Sequence, residues 1–113
     1  MTVRLATYGT LAPGRSNHRQ LEGLIGNWRP GVVRGKLFEE GWGAAQGYPG
    51  LVLDPLGDEV EVQVFTSTDL PRHWARLDAF EGEGYARVLA QVSTATGEVS
   101  AYIYVLTSSG LGS

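Results

Sequence analysis

Apolar and polar residues alternate along most of this chain, and the alternation predicts its strands. Val3 to Tyr8 sets apolar and β-branched residues around Arg4 and Thr7 and stops at Gly9, which reads as a first strand. Gly31 to Phe38 reads as a second, in which Gly35 marks a bulge or a close backbone approach. Leu51-Val52-Leu53 is a short apolar strand, and Asp54-Pro55-Leu56-Gly57-Asp58 is a hairpin turn after it. Val60, Val62 and Val64 then alternate with Glu59, Glu61 and Gln63, as a strand with one buried face does. From Tyr85 to Ser93, Ala86, Val88, Ala90 and Val92 share one face, and Tyr85, Arg87, Leu89 and Gln91 share the other. A turn at Thr96-Gly97 leads into Val99 through Val105, where Ala101, Ile103 and Val105 alternate with Ser100, Tyr102 and Tyr104, so the two runs form a hairpin.

Elsewhere the period lengthens. Trp74, Leu77 and Phe80 recur at helical spacing, with Thr68 or Asp69 as the cap, Pro71 in the first turn, and Gly82 and Gly84 as the stop. Ser16 or Asn17 caps a second short helix, which runs toward Leu24 with Leu21, Leu24 and Ile25 on its apolar side. Glu39 to Gly50 is a loop with four glycines, Trp42 and the turn Tyr48-Pro49-Gly50, a composition common in lids and pocket walls. These elements predict an α+β fold: a mixed, mostly antiparallel sheet curled into a small partial barrel, with two short helices. Residues 1–106 make the domain, and 107–113, small and glycine-rich, are expected to form a flexible tail.

Composition narrows the function. A chain of 113 residues is one domain's worth, enough for a real core. Nine basic against twelve acidic residues give a net charge of −3, which leaves no electrostatic footprint for nucleic acid or an anionic membrane. The absence of cysteine excludes disulfides, thiolate catalysis and cysteine-ligated metals. No signal peptide or membrane-spanning run is evident, so a cytoplasmic location is expected. His18 and His73 stand in separate segments without metal-ligand spacing, and no metal site is expected. The glycines near Lys36 lack the spacing of a phosphate-binding loop.

Two stretches carry candidate chemistry. In Leu77-Asp78-Ala79-Phe80-Glu81-Gly82-Glu83-Gly84-Tyr85-Ala86-Arg87, Glu81 falls in a last helical turn. The negative end of the helix dipole and an apolar neighbour such as Phe80 would both disfavour its ionisation and raise its pKa toward that of a working base. The plain alternative is a solvated glutamate at a helix end, which is how Glu83 is read. In Tyr8-Gly9-Thr10-Leu11-Ala12-Pro13-Gly14, the loop after the first strand presents successive N–H groups suited to an anion or a carbonyl oxygen, or is simply a turn. Arg15, His18 and Arg19 make the following segment locally basic, fit to receive a carboxylate or to stand in solvent.

Together these residues resemble the AIG2-like γ-glutamylcyclotransferase family. Tyr8-Gly9-Thr10-Leu11 with Pro13-Gly14 and Asn17-His18 is similar to its amino-terminal loop and short helix. Tyr48-Pro49-Gly50 is similar to its middle segment, and Leu77 to Gly82 with Tyr85 and Arg87 to its acidic motif. The resemblance implies that the free α-amine of a γ-glutamyl group attacks its own side-chain carbonyl, forming 5-oxoproline and releasing an amine or amino acid, with no cofactor. It implies Glu81 as the acid and base, a role usually worth about 10²- to 10⁴-fold. The N–H groups of Gly9, Thr10 and Leu11 would stabilise the oxyanion, each by about 3 kcal/mol when well aimed. Tyr8 and Tyr85 would bind the substrate, Tyr85 either lining the pocket or holding the glutamyl carboxylate. The partner is then a small γ-glutamyl molecule. One strand departs from the family, because Val62, Gln63, Val64 and Phe65 stand where glycine, glutamate, a hydrophobe and tyrosine are usual.

Overall fold

The alternating valines are the staves of a small closed barrel. The computed structural model describes residues 3–8, 21, 23–39 and 49–107. Its elements are β1 (Arg4–Thr7), β2 (Asn27–Phe38), β3 (Gly50–Leu53), β4 (Asp58–Thr66), a 3-10 turn (Leu70–His73) running directly into α1 (Trp74–Glu81), β5 (Tyr85–Thr94) and β6 (Gly97–Leu106). The sheet order is β3-β2-β4-β1-β6-β5, and β2 also pairs with β5 at Val32↔Ser93, which closes five strands into a barrel and leaves β3 on its flank. The β1–β6 pairing is parallel and the others are antiparallel. The predicted mixed sheet is therefore present, and its curl is complete.

Residue parity divides the apolar side chains between two cores. Ala6, Val33, Val60, Val62, Val64, Val92, Ala101 and Ile103 fill the barrel with Leu51. From the neighbouring positions Leu5, Phe65 and Tyr104 point out of the wall, where Leu70 and Leu77 of the helical segment and Leu21 cover them. Trp28 and Phe65 stack there with ring centroids 4.8 Å apart. A strand has only two faces, so one step in sequence moves a residue from barrel to helix side.

Two expectations need correction. Asp54 to Gly57 is a turn, closed by the Gly57 N–H on the Asp54 carbonyl at 2.8 Å, but it does not make a hairpin. β3 and β4 pair with opposite edges of β2: Leu53 and Asp58 both stand opposite Gly35, one on each side. The chain thus runs along β2 and changes edge by crossing over Gly35. A Cβ on Gly57 would lie 2.7 Å from the Gly35 carbonyl oxygen, and a Cβ on Gly35 would strike the Val52 carbonyl. Gly35 is a close approach, not a bulge. Secondly, Asp69 stands at the helical N-cap without capping. Its carboxylate instead accepts from the Ile25 N–H at 2.9 Å and from Arg72 at 2.6 Å, while the Ser67 hydroxyl accepts from the Asp69 N–H at 3.0 Å.

Gly82 ends α1 at φ 84°, where its N–H reaches the Asp78 carbonyl at 3.0 Å. The helix predicted from Ser16 toward Leu24 and the tail 108–113 lie outside the described residues, apart from Leu21, which is helical, and Gly23 and Leu24, which form a turn.

Candidate active site

One end of the barrel gathers the polar side chains. Register places the end of β1, the start of β5 and the end of β6 together, since Ala6 stands opposite Ile103 and Tyr85 opposite Leu106. Gly50, at the start of β3, packs on the Leu106 side chain. Each strand brings a tyrosine or a main-chain group to this rim, and the last turn of α1 brings Glu81.

Tyr8 is the hub. Its hydroxyl donates to the Tyr104 carbonyl at 2.6 Å and accepts from the Leu51 N–H at 3.2 Å, joining β1, β6 and β3. The Tyr85 hydroxyl donates to the Pro49 carbonyl at 2.5 Å. Burial raises the Tyr8 pKa well above the usual phenol value, and the nearby Tyr85 and Glu81 raise it further. Tyr104 is raised too, first by burial, then by its hydrogen bond to Asp78, with Glu81 adding to the effect. Both phenols therefore stay protonated, within electrostatic reach of Glu81.

Glu81 itself is partly buried, and burial pushes its carboxyl up to about 7. The direction matches the sequence expectation, and of the two causes expected it is desolvation that raises it. Phe80, expected to cover it, is 39% exposed and belongs to neither core. Glu83 is exposed, as expected of a solvated residue.

Sequence reasoning missed what lies behind Glu81. One helical turn earlier, Asp78 accepts from the Tyr104 hydroxyl at 2.6 Å and from Arg87 Nε at 2.9 Å, with Arg87 Nη2 on its other oxygen at 3.2 Å. The Arg87 guanidinium lies 4.2 Å over the Trp74 ring and 5.1 Å from that of Tyr102. The arginine holds the Asp78 carboxyl below the usual carboxylate range, with the Tyr104 hydroxyl adding to this. Two opposite charges nine residues apart, on either side of a helix stop, were the signal available for this pair.

The structure brings Tyr8, Tyr85 and Glu81 to one rim. Gly9, Thr10 and Leu11, the expected oxyanion donors, follow Tyr8 directly in the chain and lie outside the described residues, as do Arg15, His18, Arg19, Trp42 and Tyr48. Among the described residues no group of three or more acidic or histidine side chains could hold a metal, and no helix is long and apolar enough to cross a membrane.

The sequence model for the family described as gamma-glutamyl cyclotransferase, AIG2-like, matches residues 5–112. The chain belongs to this AIG2-like cyclotransferase family. Solved structures agree on the fold. YkqA from Bacillus subtilis is 26% identical with a TM-score of 0.72, over 95% of this chain and 36% of its own. The chain thus spans about a third of that protein. An AIG2-like protein from Mus musculus is 21% identical with a TM-score of 0.70, covering 98% of this chain and 83% of its own. The same fold occupies 18% of the allophanate hydrolase of Kluyveromyces lactis, at 18% identity, a TM-score of 0.68 and full coverage of this chain. No curated protein matches the chain.

Proposed function

We propose that this AIG2-like domain cyclises a γ-glutamyl amine or γ-glutamyl amino acid to 5-oxoproline, releasing the amine, with Glu81 as the acid and base. The observation that supports the reading is a partly buried carboxyl in the last turn of α1, within electrostatic reach of Tyr8 and Tyr104, whose burial raises it to about 7. The substrate's α-amine is mostly protonated at neutral pH. Raising the glutamate from its ordinary 4.5 to about 7 narrows its deficit against that amine by about 3 kcal/mol. The same acid then returns the proton to the departing nitrogen. Attack on the tethered carbonyl needs only that the substrate be held in its folded conformer. Tyr85 lines that rim. Because its one proton goes to the Pro49 carbonyl, it offers the glutamyl carboxylate contact surface and no free donor.

A second reading has a specific basis in β4. Val60, Val62 and Val64 all face the barrel interior and Phe65 lies under the helix, so Gln63 and Phe65, which stand where the family has glutamate and tyrosine, bring neither a carboxylate nor a hydroxyl. The domain would then bind a small molecule without turning it over. Incubation with γ-glutamyl-lysine and γ-glutamyl-alanine, assayed for 5-oxoproline, separates the two. Turnover that Glu81→Gln lowers at least 100-fold is expected. Tight calorimetric binding with no product over hours would support the binding module, and turnover untouched by Glu81→Gln would remove Glu81 from the reaction.

A further inference from the structure

Between Glu81, the last residue of α1, and Tyr85, the first of β5, the chain has three residues, Gly82, Glu83 and Gly84. Two glycines in so short a connection give its backbone wide freedom. Yet each of its carbonyls is held. The Tyr85 N–H donates to the Gly82 carbonyl at 3.3 Å, the Thr107 hydroxyl to that of Glu83 at 3.0 Å and the Thr107 N–H to that of Gly84 at 3.0 Å. Two of these three bonds come from Thr107, which follows β6 directly and is the first residue of the expected tail. Register brings it there: Tyr85 stands opposite Leu106, and one step further along the same ladder sets Thr107 beside Gly84.

The end of α1 depends on that hold. Leu77 is the one buried side chain of the helix, and Asp78 makes its ion pair with Arg87 at 2.9 Å. Both fix the helix a turn before Glu81, which stands at the terminus, where helices fray most readily. On the other side Gly82 has already left the helix at φ 84°. What locates Glu81 from that side is the connection itself, and Thr107 ties the connection to β6.

We propose that Thr107 is a positioning residue for Glu81: by bonding to the Glu83 and Gly84 carbonyls it clamps the chain just behind the last helical turn to the end of β6, and so sets where the Glu81 carboxyl stands. The proposal rests on the reading of Glu81 as the acid and base.

The test compares Thr107→Val, which keeps the residue's shape and its N–H but removes the hydroxyl, with Thr107→Ser, which keeps the hydroxyl. The Glu81 carboxyl is followed by carbon NMR in the whole chain labelled at glutamate, its signal assigned by its loss in Glu81→Gln. A released last turn lets water reach the carboxyl, so Thr107→Val is expected to lower the Glu81 titration midpoint by about one unit, and Thr107→Ser to keep it at the parent value. Tyr8 from β1, Tyr85 and Arg87 from β5, Tyr104 from β6, Asp78 from the same helix and Glu83 from the connection are identical in both variants, so the comparison isolates the hydroxyl. With γ-glutamyl-alanine, Thr107→Val should lower kcat about tenfold with KM changed less than about twofold, and Thr107→Ser should restore kcat. Thr107→Ala removes the same donor and decides the matter if Thr107→Val fails to fold. A midpoint unmoved in folded Thr107→Val, one lowered equally by Thr107→Ser, or a loss confined to KM would overturn the proposal. The midpoints need no turnover. Absence of 5-oxoproline from the parent alongside the expected midpoints would therefore defeat the functional reading and leave the role of Thr107 standing.

Discussion

Glu81 costs the fold stability at the pH where it would serve as a base. Its pKa is raised from 4.5 to about 7 in the folded chain, so between those values the folded state binds a proton that the unfolded state has lost. Its contribution is fully present below about 4.5 and is lost as the pH rises through about 7. The loss amounts to about 3 kcal/mol at most. Glu81→Gln has no charge to bury, so urea unfolding should show it gaining up to about 3 kcal/mol on the parent between pH 5 and pH 8. A constant difference across that range would mean that Glu81 titrates normally. Asp78 has the opposite sign, since its pKa is lowered by Arg87, and its contribution is lost as the pH falls through the carboxylate range. It is common to both proteins and cancels from the comparison. For the proposed reaction, kcat/KM should climb as the pH rises and level off above about 7, reporting the free enzyme's base.

Among the elements, the crossing over β2 is the least forgiving. Gly57 passes so close to Gly35 that a Cβ would meet main-chain atoms at 2.7 to 2.9 Å, and no side chain there can move aside. Gly57→Ala should destabilise by about 1–3 kcal/mol, the usual range for overpacking, measured by chemical unfolding. An unfolding midpoint unchanged by this substitution would show that the crossing has room to relax. Gly35 was legible in the sequence as a point of close approach, but what approaches it was not, because edge choice is decided by pairing partners far apart in the chain. The same limit explains the start of β2. The strand expected from Gly31 begins at Asn27, so Pro30 also lies inside it, opposite Gln63, with Gly31 opposite Val62. A Cβ on Gly31 would crowd the Val92 side chain, so the glycine makes room for the barrel core. Glu81 was legible because its motif is contiguous. The acceptors of the three phenols were not, because they come from Pro49 just before β3, from β6 and from α1, and meet only in space.

At the scale of the whole molecule, the barrel has one weak seam. β2 and β4 stay in register from Asn27↔Thr66 to Gly35↔Asp58, whereas β2 meets β5 at the single pair Val32↔Ser93. Native-state hydrogen exchange should find the amides at that seam opening at lower free energy than those of Val62 and Val64 in β4. Equal protection would mean that the barrel opens only by global unfolding. β1 has the contrary character: it is locked between β4 on one side and β6, the last strand, on the other. The helix bearing Glu81 leaves the ribosome before β5 and β6, to which Asp78 ties it through Arg87 and Tyr104. During translation the helix therefore waits, without those anchors, for strands made after it.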